Sequence, residues 1–67
     1  MNTNKLKSIL ANQGKTQREL AKLFNCAYMT LNKKVNGEIK FSVNEIAELK
    51  KYLNLTDSEV VEIFINN

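Results

Sequence analysis

Sixty-seven residues allow one domain at most, spanning 1–67, and a chain of that length buries only about 60% of its unfolded surface, which leaves no room for a domain-sized active site. The composition, 43% hydrophobic and 25% charged, is that of an ordinary globular protein. One cysteine and no histidine exclude a disulfide framework and the usual transition-metal sites. No metal, no cofactor and no catalytic residue are expected, and the chain reads as a non-enzyme. No apolar run approaches the roughly 20 residues of a membrane span, and no apolar leader follows the polar start, so a cytoplasmic protein without a membrane partner is expected. The net charge of +3 conceals a segregation: residues 1–41 carry eight cations against Glu19 and Glu38, a local +6, whereas Ser42 onward carries five acids against Lys50 and Lys51, a local −3. Such a bipolar chain offers one end to a polyanion and holds the other away from it.

Two glycines and three capping boxes divide the chain into five helices. The first is expected over 3–13, with Leu6, Ile9 and Leu10 on one stripe and Gly14 as its left-handed terminator. Thr16-Gln17-Arg18-Glu19 places an acid three residues after a threonine. That pattern satisfies two orphan backbone donors at a helix start, and it opens a second helix over 17–25 bearing Leu20, Ala21, Leu23 and Phe24. A third helix is expected over 27–36, closed by Gly37. Ser42-Val43-Asn44-Glu45 then opens a fourth over 43–54 with Ile46, Leu49 and Leu53 inward, and Thr56-Asp57-Ser58-Glu59 opens a fifth over 57–65. Phe41 and Leu55, one residue before these two caps, are placed to meet Ile46 and Val60 as hydrophobic staples. No segment alternates with period two, so the fold class is all-α.

The connection between the second and third helices, Phe24-Asn25-Cys26-Ala27, is too short for anything but a tight turn. Asn25 tolerates the left-handed backbone such a turn needs. Ala21 and Cys26 are small enough to let two steeply crossing axes approach, which is the geometry of a helix-turn-helix over 16–37. At 100° per residue the third helix separates Ala27, Leu31 and Val35, inward, from a contiguous outward arc of Tyr28, Met29, Asn32, Lys33 and Asn36. Asparagine is able to read adenine, lysine to reach guanine or a phosphate, and tyrosine and methionine to touch a thymine methyl.

Residues 16–37, with Thr16-Gln17, Glu19-Leu20-Ala21, the aliphatic Leu31 and the closing Asn36-Gly37, resemble the Cro and cI-repressor type helix-turn-helix of phage and bacterial regulators. A looser likeness extends over about residues 4–55, and the chain as a whole resembles a small phage-encoded member. The resemblance implies a compact five-helix lambda-repressor-like fold. It assigns Gln17 to the DNA backbone and a nearby base, Tyr28, Met29, Asn32 and Lys33 to bases, and Asn36 and Lys40 to phosphate. The chain departs from the family pattern at Asn25, Cys26 and Ala27, and Ala27 deprives the third helix of its usual hydroxyl cap. It departs again at Lys34, because the apolar position falls one residue later, at Val35.

The expected activity is therefore that of a sequence-specific double-stranded DNA-binding transcriptional regulator, a repressor that acts by occupying its operator. A protein-interaction module on the same fold, an antitoxin or an anti-repressor, is the alternative, with Tyr28, Met29 and the fifth helix as its interface. The fifth helix carries more apolar residues than one stripe uses: Val60, Ile63 and Phe64 share a face while Val61 and Ile65 point elsewhere. That surplus favours a homodimer through residues 56–65, against the reading in which the same residues complete the monomer's own core.

Overall fold

The structure, a computed structural model, describes residues 1–65; the last two residues of the expected 1–67 domain lie outside them. Five helices follow one another: α1 (Thr3–Asn12), α2 (Gln17–Leu23), α3 (Tyr28–Val35), α4 (Val43–Tyr52) and α5 (Asp57–Val60). The last continues directly into a π-helical segment, Val61–Ile65. No strand occurs among the described residues.

All three capping boxes form. Thr16, Ser42 and Thr56 accept from the backbone N–H of Glu19, Glu45 and Glu59, and each acid accepts in return from the N–H of its cap residue at 2.8–2.9 Å. Asn2 caps α1 by accepting from Lys5 N–H at 3.1 Å. Only α3 begins without a side-chain cap: Ala27 has the extended backbone of a cap residue but no oxygen to offer.

The four C-termini close in one way. Gly14, Asn25, Gly37 and Asn54 adopt positive φ of 67°, 52°, 84° and 54°. The residue after each, Lys15, Cys26, Glu38 and Leu55, donates its N–H back to the carbonyl of Leu10, Ala21, Lys33 and Lys50. These are four Schellman closures, and they end each helix before the expected boundary, because the last turn belongs to the cap.

Leu6, Leu20, Leu31, Val35, Leu49, Leu53 and Ile63 are fully buried: one or two from each of α1 to α4, Leu53 from the cap that ends α4, and Ile63 from the π segment, whereas α5 itself contributes none. Phe41 lies between Phe24 and Phe64, with ring centroids 6.2 and 5.7 Å away, the second pair edge to face. Phe41 and Leu55 are buried in the core against which Ile46 and Val60 pack, the positions expected of the two staples. Two inward assignments change. Leu23 is exposed because α2 ends there and turns away, and Ala27 is exposed as the cap residue of α3, while Cys26 is half-buried and packs against the core. In the fifth element Ile63 is fully buried while Val60 and Phe64 pack against the core, so the expected shared face serves the chain's own interior and the surplus is what remains outside it. Val61 and Ile65 stay exposed.

Charged and polar groups bind the perimeter. The Asn2 N–H donates to the Ile63 carbonyl at 2.7 Å and Lys5 pairs with Glu62 at 3.3 Å, joining the two ends of the described chain. Gln13 Nε2 and Lys15 Nζ donate to the Leu53 and Tyr52 carbonyls, both at 2.8 Å, and thereby cap the C-terminus of α4 from the α1–α2 loop. Lys34 pairs with Glu45 at 2.5 Å and ties α3 to α4.

Candidate functional site

Helix α3 is about 12 Å long at 1.5 Å per residue. Leu31 and Val35 lock one of its faces into the core with no exposed surface, which sets its rotation. The opposite arc is the one the sequence reading singled out. Tyr28 is 45% exposed and Met29 72%, Lys33 and Asn36 are exposed, and Asn32 is half-buried between them. Lys34 does not belong to this arc, since its ammonium faces Glu45 on α4.

Three of the seven selected residues meet through hydrogen bonds. Asn36 Nδ2 donates to Asn32 Oδ1 at 3.1 Å, and Asn32 Nδ2 donates to Gln17 Oε1 at 2.9 Å. The first turn of α2 is thus fastened to the middle of α3 beside the turn that joins them. Tyr28, Met29 and Lys33 stand along the same helix with side chains that make no hydrogen bond among the described residues. Lys40 lies apart on the α3–α4 loop, beside a hollow lined by Gly37, Ile39 and Phe64, and no hydrogen bond connects it with the other six.

Two side chains that the sequence did not single out as contacts, Lys7 having read as a merely solubilising lysine, join this surface. Lys7 of α1 donates from Nζ to Asn36 Oδ1 at 2.7 Å across 29 positions of chain. Arg18 in the first turn of α2 lies over the Tyr28 ring, 5.2 Å from its centroid, at the rim of a hollow of about 410 Å³ that Lys22, Asn25 and Cys26 also line. A cation in the first turn of a helix opposes the helix dipole, and that misplacement was the available signal for Arg18. Nothing in the spacing of Lys7 distinguishes it from a solvated lysine.

Much of the basic half is already engaged. Lys5, Lys7, Lys15 and Lys34 hold Glu62, Asn36, the Tyr52 carbonyl and Glu45. The side chains of Lys22, Lys33 and Lys40 make no hydrogen bond or ion pair among the described residues, and that of Arg18 makes only its ring contact. Glu45 is the one acid near α3 whose titration is displaced. Burial pushes its carboxyl up, but the Lys34 ammonium and the Ser42 cap together outweigh burial and hold it below the usual value.

Set against protein families, characterised proteins and solved structures, the chain matches none of them. No group of three or more histidine, cysteine, aspartate or glutamate side chains among the described residues is arranged to hold a metal ion, and no described helix is long and apolar enough to cross a membrane.

Proposed function

We propose that the chain is a sequence-specific double-stranded DNA-binding regulator in which α2, the turn at Asn25 and α3 form a helix-turn-helix of the Cro and cI-repressor type, with α3 in the major groove. The observation that carries this reading is the outward face of α3. It presents Tyr28, Met29, Asn32, Lys33 and Asn36 on a helix whose other face is fixed in the core, with Met29 72% exposed. A rigid helix with amides, a cation and apolar groups on one side has the chemistry for base edges and thymine methyls. Lys22, Lys33, Lys40 and Arg18 supply charge for phosphates, and the acidic residues of α4 and α5 keep the far side off the polyanion.

Gln17 would contact the backbone beside its base, and Asn36 and Lys40 would hold phosphate. Regulation is by occupancy: the protein covers an operator and its level sets the response. No catalytic step is assigned to it. Two copies meeting through Val61 and Ile65 would set two recognition helices on half-sites about one helical turn apart. The exposure of Tyr28 and Met29 equally suits a protein partner, which defines the rival reading of an interaction module.

The test is selection of bound sequences from a random duplex library with the native chain and with a Met29→Ala, Lys33→Ala variant. Neither residue belongs to the core, so the variant keeps its fold. The proposal requires one enriched motif from the native protein and a relaxed or lost motif from the variant. Enrichment of nothing by the native chain contradicts it.

A further inference from the structure

We propose that Lys7 is a positioning residue of this surface. Its ammonium sets the direction of the amide chain Asn36, Asn32, Gln17, so that Gln17 turns both of its N–H bonds outward toward a hydrogen-bond acceptor. The assignment of that acceptor to DNA rests on the proposed function; the direction of the chain does not.

A lysine ammonium has three donors and no acceptor, whereas a carboxamide has an oxygen at one end and an NH2 at the other. Lys7 Nζ therefore admits only the oxygen of Asn36, which it meets at 2.7 Å. With that end fixed, the Asn36 NH2 faces Asn32 and finds Oδ1 at 3.1 Å. Asn32 in turn directs its NH2 to Gln17 Oε1 at 2.9 Å. Gln17 ends the chain with its oxygen occupied and its NH2 without a partner among the described residues. Turning the chain around would set the Asn36 NH2 against the Lys7 ammonium, donor against donor. Each bond also polarises the next, so a cation at one end makes the far N–H groups better donors.

The consequence is chemical selectivity at the start of α2. Gln17 accommodates a phosphodiester oxygen or a purine N7, and repels the exocyclic amino groups of adenine and cytosine. Asn32 has one N–H and one lone pair engaged inside the protein and keeps one of each for a base. Lys7 touches none of these acceptors and acts only through Asn36.

The experiment compares native protein, Lys7→Arg and Lys7→Glu by side-chain amide proton–nitrogen spectra in the absence of DNA. Arginine is again donor-only and preserves the direction. Glutamate accepts only and reverses it. The expected result is hydrogen-bonded, downfield amide protons on Asn32 and Asn36 but not on Gln17 in native protein and Lys7→Arg, and on Gln17 in Lys7→Glu. A hydrogen-bonded Gln17 amide in native protein, or an unchanged spectrum in Lys7→Glu, overturns the proposal. Titration of a DNA duplex then checks the acceptor. Lys7→Glu should bind about tenfold more weakly than Lys51→Glu, which makes the same charge change on α4, the loss expected for one hydrogen bond replaced by repulsion. Equal weakening in the two variants overturns the role of Lys7 on DNA. Absence of DNA binding by native protein refutes the regulator reading and leaves the amide chain to be judged by its spectra.

Discussion

The second residue beyond each of the first four helices takes the left-handed backbone conformation, and two of these residues are glycine and two asparagine. At Gly14 an added Cβ would meet nothing within 4 Å, so Gly14→Ala isolates the backbone strain itself and should lower stability by about 1 kcal/mol in urea unfolding. Asn54→Ala should give a similar loss, whereas Asn25→Gly and Asn54→Gly should be neutral or stabilising. In the opposite direction, Ala27 already holds the cap backbone of α3 and lacks only an oxygen. Ala27→Ser should raise stability by about 0.5–2 kcal/mol, and an unchanged denaturant midpoint would show that the α3 N–H groups are satisfied otherwise. The glycines were readable from the sequence because an apolar pattern stops at each. Asn25 was readable because the turn after it is too short for any other conformation. Asn54 was not, since an asparagine there reads as the last residue of the fourth helix and not as the left-handed residue beyond its end.

At the scale of the element, Glu45 is the joint between α3 and α4. Its Oε1 accepts from the Ser42 N–H at 2.8 Å to cap α4, and its Oε2 faces the Lys34 ammonium. Because the folded carboxyl titrates below its ordinary value, the stabilisation is present above the unfolded pKa and is lost as pH falls through the folded one. Glu45→Gln keeps an oxygen for the cap and removes the charge. It should therefore be less stable than native protein at pH 7, by no more than about 1 kcal/mol for a pair still reached by solvent. The difference should shrink as pH falls through the titration of the folded carboxyl and vanish once that carboxyl is protonated; a difference that persists in acid would contradict the assignment to Lys34. The capping boxes that open α2, α4 and α5 were legible because they rest on local spacing. The π segment was not: over Val61–Ile65 four of the five side chains are apolar, and such a run fits a wider turn as well as an α-helical one. The outward arc of α3 was legible from its period, but the bonds that join it to α1 and α2 were not, because they cross 15 and 29 positions of chain.

For the whole molecule, charge along the chain overstates the charge open to a partner. Of the eight cations before Ser42, only Arg18, Lys22, Lys33 and Lys40 keep their charge clear of a polar partner among the described residues. At about 0.9 counterions per phosphate, a log–log salt slope no steeper than about −4 per copy is expected, and Lys22→Ala or Lys40→Ala should each reduce it by about one. Self-association in the absence of DNA has little apolar surface behind it. Val61 and Ile65, 39% and 67% exposed, fall well short of the roughly 800 Å² per partner of a stable interface, so sedimentation without DNA should show a monomer. The most direct measurement of the central claim is the affinity of the native chain and of Lys33→Ala for a preferred and a scrambled duplex at two salt concentrations. The regulator reading predicts a preferred duplex bound more tightly by the native chain, weakening with salt, and a preference reduced by about 1–3 kcal/mol in Lys33→Ala. Equal, salt-insensitive binding of both duplexes, unaltered by the substitution, would contradict it.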